Sequence, residues 1–380
     1  MNIVIAPDSY KGSLSSIHVG EIINKGITQA IPCVKTTVFP MADGGEGTMD
    51  AFLYRLKGDI HKITAKDPLL RNRQAEMAIV KEENLAIIES AAMIGLPLLT
   101  ADEKNPMNTS SYGLGQAILY GLNQGVRKFI IGLGGSATND AGLGMLEALG
   151  AEFLLSRNKQ INQATVKDMQ SILEVKLASL DHRLKDTTII IASDVDNPLC
   201  GPRGASVVFG PQKGATQEMA LKLDHSLEYF ASLFAHGEHL KNSEGSGAAG
   251  GLGFGLLLLG AELQSGAEII ADSLQIEKSI QNCDVLITGE GKTDEQTIHG
   301  KAPVYLAKIA KKYNKPVIII SGSLAENYQT LSPYFDAFFS IIERPVMVDE
   351  AMVNTEKWLE QTSYYVGCLL AINLRKDIKK

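Results

Sequence analysis

The chain has 380 residues, more than one hydrophobic core usually serves, so two domains are expected. Hydrophobic residues make up 45% and charged residues 21%, a balance that excludes a largely disordered chain. A formal net charge of -7, with no lysine or arginine cluster interleaved with aromatics, argues against a nucleic-acid partner.

The first residues, MNIVIAPDSYKG, have no basic segment leading into a long apolar one, and read as a strand rather than a signal peptide. Short Val- and Ile-rich runs at 2–6, 35–39, 284–288, 316–321 and 337–341 predict buried parallel strands. Helical patterns at 16–30, 46–56 and 301–313 follow three of them, so the two chain ends are expected to form one doubly wound sheet. A middle segment of roughly 67–282 would be inserted between them. It opens with RQAEMAIVKEENLAIIES (73–90), which predicts antiparallel strands joined through KEEN, and continues with a buried strand at 188–193 and a long helix after Gly214. That makes the insert a mixed α/β domain, and a cleft between two such domains is the usual place for a ligand. The most apolar run, 251–263, is too short to span a bilayer, so a cytoplasmic protein with no membrane partner is expected. Cys33, Cys200, Cys283 and Cys368 lie far apart and predict free thiols, neither a zinc site nor a disulfide framework.

Three glycine-rich stretches compete as anion seats. In FIIGLGGSATNDAGLGMLEALG (129–150), a strand runs through a glycine turn into a helix, whose first amides favour phosphate or carboxylate. Gly132, Gly134 and Ala137 there satisfy G-x-G-x-x-A, the dinucleotide pattern. Asp140 in the first helical turn argues against it by like charge, and the following strand ends in Ser156 and Arg157 where an acid is needed. Arg157 suits the 2′-phosphate of NADP, which keeps an NADP-dependent dehydrogenase of a small hydroxy acid as the second reading. EGSGAAGGLG, with Gly245, Gly247 and Gly250, follows no strand, and a flexible loop explains it equally well. GEGKT (289–293) lacks the leading glycine of a P-loop, yet it places Glu290, Lys292, Thr293 and Asp294 at a carboxyl strand end, where open sheets bind ligands.

Acids and lysines recur at such ends. APDSYKG carries Asp8, Ser9 and Lys11; PMADGGEGT carries Asp43 and Glu46; IIIASDVDNPLCG carries Asp194 and Asp196. Each alone reads as a turn or helix cap. Together with the glycine turns they are the inventory of phosphoryl transfer: oxygen ligands for Mg²⁺, lysines for the moving phosphate, and a carboxylate near the attacking hydroxyl. Of the seven histidines only His299, beside the Gly289 loop, is placed to reach a site, and satisfied hydrogen bonding is its expected role.

Six segments in order, IAPDSYKGSLSS, PMADGGEGT, GLGGSATNDAGLG, SDVDNPLCGPRGASVVFGPQKGA, GSGAAGGLGFGL and LITGEGKTDEQTIHGKAP, resemble the type 1 glycerate kinase family nearly end to end. The resemblance implies phosphorylation of D-glycerate by ATP with magnesium, at the C2 hydroxyl, with the 3-phosphate as the alternative product. It implies two α/β domains: a flavodoxin-like doubly wound parallel sheet (1–66 plus 283–380) split by an inserted mixed α/β domain (67–282), with the active site in the cleft between them. Monomer and homodimer both stay open. Tyr10 stands where the family motif has Phe in PDSFKG. The resemblance itself fixes no catalytic list; from its place after a buried strand with Asp196 beside it, Asp194 is expected as general base or metal ligand, with Asp8 and Lys292 also catalytic. Asp43 and Asp196 are the expected metal ligands. Lys11 and Lys213 are expected to hold the glycerate carboxylate or the ATP phosphates, with Ser9, Gly44, Gly45, Gly134, Gly135, Ser136, Gly289, Glu290 and Thr293 completing the binding set.

Overall fold

The structure, a computed structural model, describes residues 1–156, 159–298 and 302–377. In chain order its strands are β1 (Asn2–Ile5), β2 (Lys35–Val38), β3 (Asp59–Lys66), β4 (Asn72–Val80), β5 (Leu85–Glu89), β6 (Lys128–Gly132), β7 (Glu152–Ser156), β8 (Lys159–Gln160), β9 (Glu174–Lys176), β10 (Thr188–Ala192), β11 (Glu262–Gln264), β12 (Val285–Thr293), β13 (Val317–Leu324) and β14 (Ala337–Ser340). The chain forms two compact units, one of Met1–Asp43, Asp50–Leu56 and Ser265–Lys380, the other of Gly44–Met49 and Lys57–Gln264.

The first unit is built on a five-stranded sheet in the order β14-β13-β12-β1-β2, all neighbours parallel. Counted within the unit this is the flavodoxin-like order, with the direction of winding reversing between β1 and β12. Both faces are covered, as a parallel sheet requires: Ile3, Ile5, Ile287 and Ile320 enter one core with Val19, Ile23, Ile27 and Trp358, while the alternate Val4, Leu286 and Ile319 are buried too. The helix Ser16–Ala30 forms where its sequence predicts. Ser15 caps it by accepting the His18 amide at 3.3 Å, and its apolar residues at three- and four-residue spacing pack with the helix Val348–Asp377.

The sequence ends the central strand at Thr288 and reads GEGKT as a turn. In the structure β12 continues through it, with Gly289 opposite Ile320, Lys292 opposite Ser323 and Thr293 opposite Leu324. Glycine disfavours strands intrinsically, but here the parallel ladder to β13 supplies partners that the local sequence does not reveal.

The second unit holds a six-stranded mixed sheet, β11-β10-β6-β5-β4-β3. β11, β10, β6 and β5 run parallel; β4 and β3 are antiparallel. A three-stranded antiparallel sheet, β8-β7-β9, adds to it. The β4–β5 connection turns at Lys81–Glu83 as KEEN predicts. The unit limits lie ten residues earlier than 66/67, because β3 pairs with β4 along its whole length, Asp59 opposite Ile79 to Lys66 opposite Asn72. At the other end the helices Gly266–Ser273 and Ile276–Gln281 pack with Ala302–Lys312 and belong to the first unit. Among the described residues, no helix is long and apolar enough to cross a membrane.

Candidate active site

In the first unit the candidate residues gather where the winding reverses. The Asp8 amide donates to the Gly289 carbonyl at 2.8 Å, which extends the β1–β12 pairing into the loop after β1, and the Met41 amide donates to Pro7 at 2.9 Å, which brings the loop after β2 alongside. Asp8 accepts the Ser9 amide at 2.6 Å; both side chains are half-buried, whereas Lys11 and Asp43 are exposed. Lys292 is exposed on β12 and lies 3.4 Å from Asp294.

Beneath them is a buried polar floor. Glu290 Oε1 accepts hydroxyl hydrogen bonds from Thr293 at 3.1 Å and Thr297 at 2.7 Å, and Thr293 bonds Ser321 at 2.6 Å. Glu290 and Thr293, expected to bind ligand, are therefore tied into the strand end, and the Gly289 carbonyl is occupied by Asp8. The Tyr10 hydroxyl, absent from the Phe motif, donates to the Ile320 carbonyl at 2.8 Å; burial, aided by the Glu290 charge, pushes its ionisation well above the ordinary tyrosine range. His299 lies outside the described residues, as does Arg157.

In the second unit the Gly44–Gly45 turn lies against the carboxyl ends of β6 and β10. Gly44 has φ +87° and a Cβ there would stand 2.2 Å from the Ala192 carbonyl oxygen, so only glycine fits. The Gly134 amide donates to the Gly44 carbonyl at 3.3 Å, and a Cβ on Gly134 would fall 2.6 Å from Gly45 Cα. Gly134 and Gly135 are exposed at the mouth of this turn, while Ser136 is buried. Glu89 sits in register with Gly132 and accepts the Met49 amide at 2.8 Å. Its signal in the sequence is an acid at the end of LAIIE, inside a run that otherwise reads as strand.

The expectation that the helix after β6 turns its N-terminus to an anion is not met. That helix begins only at Leu143, and the fully buried Asp140 takes its free amides: Gly142 at 3.3 Å and Gly144 at 3.2 Å, besides the Ser111 amide and hydroxyl. An internal carboxylate fills the place where a pyrophosphate would sit, which also disfavours the dinucleotide reading. Burial raises the Asp140 carboxyl above its ordinary range, against these four donors. The Gly245–Gly250 stretch is no flexible loop either, since the Gly247 amide bonds Asn197 at 2.9 Å and the Gly250 carbonyl accepts from Ala141 at 3.1 Å.

Lys213 is 2% exposed, and its ammonium donates to Ser136 Oγ at 3.2 Å and the Thr138 carbonyl at 2.6 Å. Asp194 is exposed two residues beyond β10. Asp196, also exposed, pairs with Arg203 at 2.9 Å. Among the described residues no three His, Cys, Asp or Glu side chains form a metal cage. Mg²⁺ does not need one, since it is ordinarily held by one or two carboxylates with the remaining positions filled by water and phosphate.

A doubly wound unit and a mixed unit, each bringing acids and lysines to the carboxyl ends of parallel strands, are the features of an α/β enzyme acting on a small anionic ligand. Comparison with known proteins makes this specific. Residues 3–371 match the glycerate kinase family model. The chain is 41% identical to glycerate 2-kinase of Escherichia coli K12, covering 99% of both chains, and 40% identical to glycerate kinase of Bacillus subtilis 168, covering 96% of both. A crystal structure assigned to glycerate kinase 2 of Salmonella typhimurium LT2 superposes with a TM-score of 0.86 at 40% identity, covering 98% of this chain and 99% of that one. The chain belongs to the glycerate kinase family.

Proposed function

We propose that the protein transfers the γ-phosphoryl group of ATP to the C2 hydroxyl of D-glycerate, giving 2-phospho-D-glycerate and ADP. The observation that carries this is full-length identity of 41% to a glycerate 2-kinase. The 3-phosphate product and the NADP-dependent dehydrogenase are not favoured.

The residues divide by exposure. Asp194 is the general base: its carboxylate accepts the C2 hydroxyl proton as that oxygen bonds to the γ-phosphorus and the bond to the β–γ bridging oxygen breaks. Lys11 and Lys292 are exposed cations suited to the phosphates, and Asp8 and Ser9 orient a hydroxyl beside them. The Gly134 amide is taken by the Gly44 carbonyl, so at the Gly134–Ser136 turn it is the Gly135 and Ser136 amides that would meet an oxyanion. Magnesium would supply charge neutralisation on the phosphates when bound; Asp43, or Asp196 once its exposed pair with Arg203 opens, is a carboxylate that could hold it. Glu290, Thr293 and Gly289 set the shape of the β12 end through their internal bonds. Cytoplasmic location follows from the same reading.

Phosphorus NMR of the purified protein with Mg-ATP and D-glycerate tests this directly. A new monoester signal at the 2-phosphate position is expected. An unchanged ATP spectrum overturns the activity, and a 3-phosphate signal overturns the regiochemistry.

A further inference from the structure

The Lys213 ammonium is a buried charge with only neutral partners in contact. Among the described residues no carboxylate lies within ion-pair distance, and its two hydrogen bonds go to a hydroxyl and a carbonyl. Such a charge is costly to bury, and removing it from water is ordinarily offset by a counter-ion. Asp140 is the charged group that acts on it, at longer range, with its oxygens already taken by Ser111, Gly142 and Gly144.

A second observation points to the same turn. Among the described residues, Thr138 Oγ1 and Asn139 Oδ1, both fully buried, have no hydrogen-bond partner, nor does the fully buried Ser90 Oγ; Ser90 precedes Ala91, whose Cβ lies 3.3 Å from where a Cβ on Gly135 would stand. Buried polar atoms in native proteins are ordinarily satisfied, so these exceptions on the segments around the turn leave its buried side, where the ammonium sits, short of partners. The exposed side of the turn is Gly134–Gly135; the buried side is Ser136, Thr138 and the ammonium.

We propose that Lys213 is a positioning residue working from beneath the Gly134–Ser136 turn: it pins Ser136 and Thr138, and supplies through the turn the positive charge that balances a substrate oxyanion seated on it. This rests on the reading of that turn as an anion seat given under the proposed function. The oxyanion is a carboxylate if the turn holds glycerate and a phosphate if it holds ATP.

A proton linkage follows. Burial pulls the ammonium down to about 7, with Asp140 opposing the fall, so Lys213 loses its charge as pH rises through neutrality. Oxyanion binding favours the charged form, and the affinity of the seated substrate weakens above neutrality by up to about tenfold per pH unit.

The test measures KM for D-glycerate and for ATP separately from mildly acid to mildly alkaline pH, in the wild type and in Lys213→Met. It adds calorimetric proton uptake on binding each ligand to the wild type in two buffers of different ionisation enthalpy. One substrate's KM is expected to rise with pH in the wild type, and Lys213→Met should raise that same KM about tenfold or more, flatten its pH profile, and move kcat far less. A glycerate effect identifies the carboxylate, an ATP effect the phosphate. Flat KM profiles for both substrates in a working kinase overturn the inference alone, and so does a Lys213→Met profile that follows the wild type. If Lys213→Met does not fold, or if the wild type proves not to be a kinase, the calorimetry decides: proton uptake above neutrality supports the linkage, and its absence for both ligands ends it.

Discussion

The main-chain amide and the hydroxyl of Ser111 both donate to Oδ2 of Asp140, at 2.7 and 2.9 Å, and the same hydroxyl accepts the Met145 amide at 2.9 Å. One buried carboxylate thus ties the segment before the helix Tyr112–Asn123 to the start of the helix Leu143–Ala148. Asp140→Ala strands the Ser111, Gly142 and Gly144 donors in the interior and should cost about 3 kcal/mol or more. Urea unfolding at neutral pH measures it; a loss below about 1 kcal/mol would show that water replaces the carboxylate.

Asp194 is exposed, so its removal should leave folding intact while affecting chemistry. Asp194→Asn is expected to lower kcat by around a hundredfold or more. Near-normal turnover with an unchanged unfolding midpoint would transfer the base to Asp8.

At Gly44, alanine meets two penalties at once, a left-handed backbone and a contact of 2.2 Å with the Ala192 carbonyl oxygen. Strain of about 1–3 kcal/mol is expected from the backbone, with displacement of the turn from the ends of β6 and β10. Gly44→Ala should therefore lose both stability and activity, and thermal unfolding with a kinase assay tests both. A variant as stable and active as the wild type would mean that the turn moves freely.

Tyr10→Phe removes the donor to the Ile320 carbonyl and restores the family's residue. About 0.5–1.5 kcal/mol of stability should be lost, with little change in kcat because the hydroxyl faces the sheet interior. A large fall in kcat instead would place the hydroxyl in the chemistry.

Asp181 is held down to about 2, first by its hydrogen bond with Arg183. A depressed carboxyl contributes stability in full above its unfolded value near 3.8, and that contribution is lost as pH falls toward 2. The pair is partly exposed, so Arg183→Ala should remove no more than about 1 kcal/mol at neutral pH. NMR titration of the Asp181 carboxyl should find it back near its ordinary value in the variant; an unmoved titration would assign the shift to the backbone donor.

Particular elements show where local information sufficed. Ser15 and the 3–4 spacing of Val19, Ile23 and Ile27 locate the helix Ser16–Ala30 to the residue, because cap and apolar stripe are both written locally. The helix expected at 46–56 contracts to Thr48–Leu53, where the Thr48 hydroxyl bonds back to the Gly45 carbonyl at 2.8 Å. The Gly44–Met49 loop belongs to the second unit, a membership no local pattern records.

The sequence alone determined the winding of the chain ends, the mixed character of the insert, the family, and the acids and lysines at strand ends. Periodicity, caps and long motifs are properties of neighbouring residues, so they can be read without the tertiary context. Only the tertiary structure decided which polar residues face outward and which are spent internally. Asp140 caps a helix from inside, Glu290 and Thr293 bond within the β12 end, and Lys213, expected to hold a substrate oxyanion, is buried against Ser136 and Thr138. Ser111–Asp140 and Lys213–Ser136 are 29 and 77 positions apart, and such separations leave no periodic trace in the chain; the Glu290–Thr293 and Asp140–Gly144 bonds are only 3 and 4 apart, but they form because the fold buries those groups away from water.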